Sequence, residues 1–251
     1  MILRTAVVIA MVFSFSFYIS DVRDKQRENK NLLQAEIKNK TEEDKTLKDI
    51  ASNFLETPYK KNPLGEKKGE LLYHTDYFDC TTFVLSVIAE KNANHKTPKD
   101  IMLEINYYPP GNVSYNNRNH FTTYRNKMSP YFEDITKSIG GNYTKTEKIV
   151  LNKKTEGKRI IDINWEEEIT IYYILSQDVK KIINNIPKEV GVGFINTNRF
   201  NEGLDIVHEG LLFDGKTLFH ASLKEKKVIQ ENFLEYLDKS NHNGILFYKI
   251  S

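Results

Sequence analysis

The stretch YFDCTTFVLSVIAEK, residues 77–91, decides the predicted fold. Asp79 is a residue type that caps helices, and the apolar run 80–90 predicts a helix that is buried over most of its surface. Cys80 would lie in the first turn, where unpaired backbone N–H groups and the helix dipole favour an anion. Because the thiolate is the reactive form of cysteine, this position predicts a lowered pKa and a nucleophilic role. The alternative is a small buried side chain on a core helix.

The segment HEGLLFDGKTLFHAS, residues 208–222, carries two histidines on two predicted strands that flank the Asp214-Gly215 turn. A two-residue loop would direct the imidazoles of His208 and His220 to opposite faces of the hairpin. A three-residue loop over 213–215 would pair them directly on one face, with Gly215 in the left-handed conformation, and we predict this loop. His220 could then fix the tautomer of His208, which would accept the proton of Cys80. The alternative for each histidine is a hydrogen-bonded strand residue without a catalytic role.

The remaining pattern places helices first and strands later. Helical spacing covers 46–55, 80–90, 99–105 and part of 124–139, and strand patterns cover 190–196, 205–213, 217–221 and 244–249. The apolar run 169–174 suits a strand, whereas 172–186 has the pattern of a helix, and 234–237 suits a short helix. This order predicts an α+β fold with an antiparallel sheet.

The chain begins with an apolar segment and a polar one. Residues 1–20 have Arg4 before an apolar run, which predicts an export signal, with a retained membrane anchor as the alternative. No cysteine follows this run, so a lipoprotein anchor is not expected. Residues 21–45 are almost wholly polar and predict a spacer, and the folded domain is expected over 46–251.

Composition narrows the classes of function. Hydrophobic residues make up 39% of the 251 residues and charged residues 28%, which predicts a globular domain. A net charge of +2 gives no reason to expect a nucleic-acid partner. Cys80 is the single cysteine, so an intramolecular disulfide is impossible, and no spacing predicts a metal site or an organic cofactor.

Two segments carry a resemblance to a known superfamily. FDCTTFV, residues 78–84, resembles the DCxxFV nucleophile motif of NlpC/P60 peptidases, and 208–222 resembles their two-histidine segment. The chain is more closely similar to the DUF1460 branch, which is described as N-acetylmuramoyl-L-alanine amidase-like. That similarity spans roughly 47–250 and rests on TPY at 57–59, FDCTTFV at 78–84, RNHF at 118–121, EDITKSIGG at 133–141, GLDIVHEG at 203–210 and the run that starts at 218.

The resemblance implies a papain-like fold in which a nucleophile helix packs on an antiparallel sheet. It implies Cys80 as nucleophile, His208 as base and His220 as the orienting residue. The oxyanion and substrate-binding residues that it implies are Tyr59, Asp79, Arg118, Asn119 and His120. The Cys80 backbone N–H is the second expected oxyanion donor beside the Tyr59 hydroxyl. Tyr59 could instead be a packing aromatic, and 118–120 an ordinary polar loop.

The implied reaction is hydrolysis of an amide through a thioester. The expected substrate is the stem peptide of bacterial peptidoglycan, cut at the muramoyl–L-alanine bond or within the stem. A transferase of the same fold and an inactive wall-binding protein are the alternatives. The expected location is outside the cytoplasm of a bacterium, as a periplasmic, secreted or membrane-anchored protein, with the oligomeric state open. Glu209, where the family usually has valine, and 142–168 depart from the pattern.

Overall fold

The computed structural model of the protein describes residues 45–64, 73–108, 112–153 and 156–251. Residues Thr46–Ser251 form one compact unit. The predicted export signal and all but the last residue of the predicted spacer lie outside the described residues. None of the helices in the described ranges combines the length and apolar character needed to cross a bilayer. Within the same ranges, no three or more His, Cys, Asp or Glu side chains are grouped so that they could hold a metal ion.

Most of the longer helices precede the sheet in the chain. Helices α1 (Leu47–Asn53) and α3 (Pro98–Asn106) each begin with a threonine cap that exchanges hydrogen bonds with an aspartate three residues later. Helix α2 (Cys80–Lys91) follows Asp79 and is buried from Thr82 to Ala89. The further α-helices described are α4 (Thr122–Met128), α5 (Thr136–Gly140), α6 (Val179–Ile182) and α7 (Phe233–Lys239). Short 3₁₀ segments cover Tyr115–Asn117, Gly141–Tyr143, Ser176–Asp178, Ile183–Asn185 and Thr197–Glu202.

The described strands form one eight-stranded antiparallel sheet. Their bounds are β1 (Phe132–Asp134), β2 (Thr144–Leu151), β3 (Glu167–Leu175), β4 (Glu189–Ile195), β5 (His208–Phe213), β6 (Thr217–Ser222), β7 (Lys227–Asn232) and β8 (Gly244–Ile250). The order across the sheet is β2-β3-β8-β4-β5-β6-β7, and β1 also pairs with β8. The predicted α+β class with an antiparallel sheet is therefore confirmed.

The sheet separates two apolar cores, and β5 contributes to both. Leu211 faces the core that contains the buried side of α2, together with Phe83. Leu212 faces the other core, together with Phe194 and Phe233 of β4 and α7. Each fully buried leucine or phenylalanine contributes roughly 1.5–3 kcal/mol relative to an exposed one. By the alternation of a strand, Glu209 lies on the α2 side of the sheet and His208 on the other side.

The β5–β6 hairpin has a three-residue loop, but not the predicted one. Phe213 pairs with Thr217, so the loop is 214–216, and both Asp214 and Gly215 have positive φ values of 53° and 61°. This register brings Gly210, rather than His208, next to His220: a Cβ atom at Gly210 would lie 3.1 Å from the His220 Cβ. The predicted direct pairing of the two histidines is wrong by two positions, because two successive left-handed residues reverse the chain one residue later than expected. The two imidazoles nevertheless share one face.

Three strands, β1, β2 and β7, were not predicted, and one helix was predicted incorrectly in part. Strand β2 is largely exposed and β7 is only partly buried, so neither shows a clear apolar alternation in the sequence. The helix predicted over 172–186 is wrong in its first part, because residues up to Leu175 complete β3 by pairing with β2 and β8. Only short helical segments follow, including α6.

Candidate active site

Cys80 is the first residue of α2, as the sequence predicts, and Asp79 caps that helix. The Asp79 Oδ1 atom accepts hydrogen bonds from the backbone N–H and the hydroxyl of Thr82, both at 2.8 Å. The Asp79 backbone N–H donates to the Thr82 Oγ1 atom at 2.9 Å. One oxygen of Asp79 is thus engaged in fixing the first turn of α2, and its substrate-binding role stays a prediction.

The Cys80 sulfur lies at the start of β5, where the backbone N–H of Glu209 and the hydroxyl of Thr81 are within hydrogen-bonding reach. The side chain is partly buried. Burial raises the pKa of the thiol to about 12, and the carboxylates of Asp79 and Glu209 act in the same direction. The prediction of a lowered pKa is therefore wrong for the resting protein, since loss of water outweighs the favourable helix end. A nucleophilic role for Cys80 requires a nearby base.

A hydrogen-bonded chain of side chains runs from β5 through β6 to β7. The Nε2 atom of His208 lies 2.7 Å from Nδ1 of His220, and Nε2 of His220 lies 2.9 Å from Oε1 of Glu231. A carboxylate only accepts hydrogen bonds, so it assigns the proton of His220 to Nε2. Nδ1 of His220 then accepts from the Nε2–H of His208. The Nδ1 atom of His208 is thereby left as the basic nitrogen.

Both histidines are electrically neutral in the resting protein. Burial lowers the pKa of His208 well below its usual range, and His220 and His242 lower it further. Burial also lowers the pKa of His220, although Glu231 opposes that change. A neutral His208 is the form that can accept a proton.

Three further side chains hold the His208 ring in place. The Phe194 ring stacks on it at a centroid distance of 5.4 Å and an interplanar angle of 26°. The Tyr236 ring lies against His220 at 5.1 Å, and its hydroxyl lies 2.9 Å from Nε2 of His242. Burial lowers the pKa of His242 to about 4, so this ring is also neutral at neutral pH.

Tyr59 lies close enough to the start of α2 for its hydroxyl to interact electrostatically with Cys80. The Tyr59 backbone N–H donates to the Lys226 carbonyl at 2.8 Å, and the Phe78 N–H donates to the Pro58 carbonyl at 3.0 Å. Burial, followed by the charges of Cys80 and Asp79, raises the pKa of Tyr59 to about 12. The hydroxyl therefore keeps its proton at neutral pH and can donate a hydrogen bond.

Residues 118–120 border a cavity of about 160 Å³ that Tyr124 and Trp165 also line. Asn119 is buried, and its Nδ2 atom donates to the Ile105 carbonyl at 2.8 Å, which anchors the loop to α3. Nε2 of His120 lies 2.7 Å from the Tyr115 carbonyl, and burial lowers the pKa of His120 to about 4. Arg118 lowers the pKa of Asp79, against the larger effect of burial, so the cavity lies within electrostatic range of the helix cap. Substrate contact by these three residues stays a prediction.

Sequence reasoning missed several residues of this site. Glu231 lies on β7, which was not predicted, so nothing in the sequence marked it. Tyr236 lies on the predicted short helix 234–237 and contacts His220 because α7 packs on β4 and β6. His242 follows α7 and stacks on His208 at a centroid distance of 6.3 Å. Trp165 lies within the poorly matching segment 142–168. The one available signal was that Trp165 is the single tryptophan of the chain.

The fold and the site define a class of protein: an α+β domain with a thiol at a helix start, beside a hairpin whose two strands each carry one histidine of a pair that a carboxylate orients. Comparison with known proteins is consistent with this class. The chain belongs to the AmiA-like family, described as N-acetylmuramoyl-L-alanine amidase-like, whose family model matches residues 49–245. No curated protein matches the chain.

Several solved bacterial proteins share this fold. A DUF1460 protein of Legionella pneumophila has a TM-score of 0.67 at 22% identity, covering 81% of this chain and 87% of its own. An N-acetylmuramoyl-L-alanine amidase of Bacteroides uniformis has a TM-score of 0.64 at 20% identity, with coverage of 82% and 98%. A putative xylanase of Bacteroides fragilis has a TM-score of 0.64 at 19% identity, with coverage of 80% and 99%. At these identities the likeness shows the fold alone.

Proposed function

We propose that the protein is a cysteine amide hydrolase of the NlpC/P60, papain-like type that acts on the stem peptides of bacterial peptidoglycan. One observation supports it above the others. The Glu231–His220–His208 chain leaves a basic nitrogen on His208, and the backbone N–H of the next residue, Glu209, lies within hydrogen-bonding reach of the Cys80 sulfur. The family description and the name of the Bacteroides uniformis amidase support the substrate class.

The proposed reaction has two halves, each with balanced proton transfer. Nδ1 of His208 takes the thiol proton as the Cys80 sulfur attacks the amide carbon, and the Cys80 N–H and the Tyr59 hydroxyl stabilise the oxyanion. His208 returns that proton to the leaving nitrogen, the C–N bond breaks, and a thioester remains. Water then attacks the thioester while His208 takes a proton from it. His208 returns that proton to the sulfur as the C–S bond breaks, which restores the thiol and releases the carboxylic acid.

Two amide bonds fit this proposal, the muramoyl–L-alanine bond and a bond within the stem. The test is digestion of purified peptidoglycan by the full chain, by Cys80→Ala and by His208→Ala, with released fragments identified by mass. Release of free stem peptides identifies an amidase, and shorter peptide fragments identify an endopeptidase. Both variants should release nothing.

The exposed His95 provides a matched control for the loss of a histidine. His95→Ala should digest the wall as the wild type does. The same digestion with an added amine acceptor distinguishes hydrolysis from acyl transfer, since a transferase produces the acceptor adduct. Wild-type protein that releases no fragment from any wall preparation, with or without an acceptor, would refute the proposed activity.

We further propose that residues 1–20 direct export, with periplasmic, secreted or membrane-anchored protein as the product. Wall stem peptides lie outside the cytoplasm, so the proposed substrate requires export. Fractionation of the bacterium and amino-terminal sequencing of the mature protein test this. Intact protein confined to the cytoplasm would contradict it.

A further inference from the structure

A buried ion pair lies close to the start of α2, on the opposite side of β5 from His208. Arg125 of α4 is 1% exposed and Glu209 of β5 is 0% exposed. The Arg125 Nη2 atom donates to Glu209 Oε2 at 3.0 Å, and Nη1 donates to Oε1 at 3.2 Å. Removing two charges from water is costly, and an apolar pair of similar volume is often at least as stable. The stability of the core alone does not account for this pair.

Neighbouring side chains form hydrogen bonds with both members of the ion pair. Asn126 Oδ1 accepts from Arg125 Nε at 3.2 Å and from Nη2 at 3.1 Å. The Tyr248 hydroxyl donates to Glu209 Oε2 at 2.9 Å, and the Thr122 hydroxyl donates to Oε1 at 3.3 Å. Burial acts to raise the pKa of Glu209, but the charge and hydrogen bonds of Arg125, together with the hydrogen bonds of Thr81 and Tyr248, outweigh it and the pKa is lowered. The carboxylate is therefore ionised and held in one orientation.

Glu209 reaches the candidate nucleophile in two ways. Its backbone N–H lies within hydrogen-bonding reach of the Cys80 sulfur. Its carboxylate is hydrogen-bonded to the hydroxyl of Thr81, and that hydroxyl is also within reach of the sulfur. Because an ionised carboxylate only accepts, the Thr81 hydroxyl donates to Glu209, and its oxygen is left to accept from the Cys80 S–H. The orientation of the thiol thus depends on two groups of Glu209, its backbone N–H and, through Thr81, its carboxylate.

We propose that Glu209, held by Arg125, positions the Cys80 sulfur for attack through its own backbone N–H and through Thr81. The three are positioning residues, since the proton passes to His208 and not to them. This inference rests on the proposed function, and it gives the departure from the family's usual valine at position 209 a role in the reaction.

The sharpest test compares two threonines that both donate to Glu209. Thr81→Val removes the hydroxyl that also reaches Cys80, while Thr122→Val removes the one that does not. We expect Thr81→Val to lower kcat about tenfold with KM nearly unchanged, the loss of about one hydrogen bond to a charged group. Thr122→Val should keep kcat within about twofold, and Thr81→Ser should restore most of the activity. Equal kcat values for the two valine variants would overturn the proposal.

A second readout needs no substrate and follows the thiol itself. The rate of Cys80 alkylation by iodoacetamide is measured against pH, because only the thiolate reacts. The titratable groups that interact with the sulfur are those of Asp79, Tyr59, Glu209 and Tyr236. Once the thiolate forms, the Thr81 hydroxyl can turn to donate to the sulfur, which lowers the pKa of the thiol. Thr81→Val removes this donor and should shift alkylation to higher pH, whereas Thr122→Val should leave it unchanged. An unshifted profile for Thr81→Val would contradict the proposed contact.

The ion pair is tested by replacing both members with apolar residues. Arg125→Met/Glu209→Leu removes both charges together, so it leaves no unpaired buried charge and should fold. It should lower kcat by about tenfold or more, yet speed alkylation at neutral pH because a negative charge beside the sulfur is gone. Wild-type kcat in a folded double variant would overturn the proposal, and if the variant does not fold, the threonine pair decides. Wall digestion that fails even in the wild type would refute the proposed function, while the alkylation shifts would still test the positioning.

Discussion

Replacing Glu231 by glutamine tests whether the carboxylate at the end of the histidine chain stabilises the charge that forms on His208. The substitution keeps the size of the side chain and removes its charge. Glu231 lies 2.9 Å from His220, and the centroids of the two histidine rings are 4.9 Å apart. The carboxylate is thus roughly 8 Å from the ring that becomes positive, where a unit charge is worth ~2 kcal/mol at an effective dielectric constant near 20.

That free energy corresponds to a rate loss of about thirtyfold, since ~1.4 kcal/mol changes a rate tenfold. We expect Glu231→Gln to lower kcat by this factor, with KM nearly unchanged, because the charge appears only in the transition state. The acidic limb of the kcat/KM profile should also move to lower pH, because Glu231 raises the pKa of His220.

The assay is initial-rate release of wall fragments, with melting temperatures recorded for every protein. Glu225→Gln is the matched control, since this glutamate is largely exposed and its carboxylate pairs with Lys224 at 3.7 Å. It should retain wild-type kcat. A kcat for Glu231→Gln within about twofold of the control would refute the assignment of a charge-stabilising role to this carboxylate.

Three further outcomes concern stability, measured as the free energy of unfolding in urea. His208 and His220 have lowered pKa values in the native state, so just below pH ~6.5 only the unfolded chain binds protons at these two residues. Their contribution to stability is complete above that pH and should fall below it by about 1.4 kcal/mol per pH unit for each histidine. A flat profile from pH 7.5 to pH 5.5 would contradict this. Gly191→Ala should destabilise by about 1–3 kcal/mol, because a methyl group there would overlap the Tyr248 ring, and a wild-type midpoint would show that the ring has room to move. Arg125→Met alone should cost about 3–5 kcal/mol, since it leaves a buried carboxylate unpaired, and a loss below about 1 kcal/mol would show that this carboxylate takes up a proton or finds water.

The parts of the fold that local signals determine were predictable. Asp79 before an apolar run is sufficient to start α2 at Cys80, because capping and burial act within one helix. The Asp214-Gly215 turn likewise predicts the β5–β6 hairpin and the shared face of its histidines. These features require no knowledge of distant contacts.

The details that depend on distant contacts were not predictable. The register of the hairpin depends on both Asp214 and Gly215 adopting positive φ, which the sequence permits without requiring. Strand β7 has little apolar alternation, so no pattern in the sequence placed Glu231 on a strand beside His220. The pKa of the thiol is raised mainly by burial, then by the adjacent Asp79 and by Glu209, which lies 129 positions further along the chain. The contributions of burial and of Glu209 depend on packing against β5, which the sequence of α2 does not predict.

The protonated state of the resting thiol has a consequence for the durability of the protein. Peroxides and disulfides react with thiolates much faster than with thiols. A cysteine with a pKa raised to about 12 is almost wholly protonated at neutral pH and therefore reacts slowly with them. The chain has no second cysteine with which a disulfide could form internally. A Cys80 thiol in this state resists oxidative inactivation, and in the proposed reaction it becomes reactive only when His208 withdraws its proton.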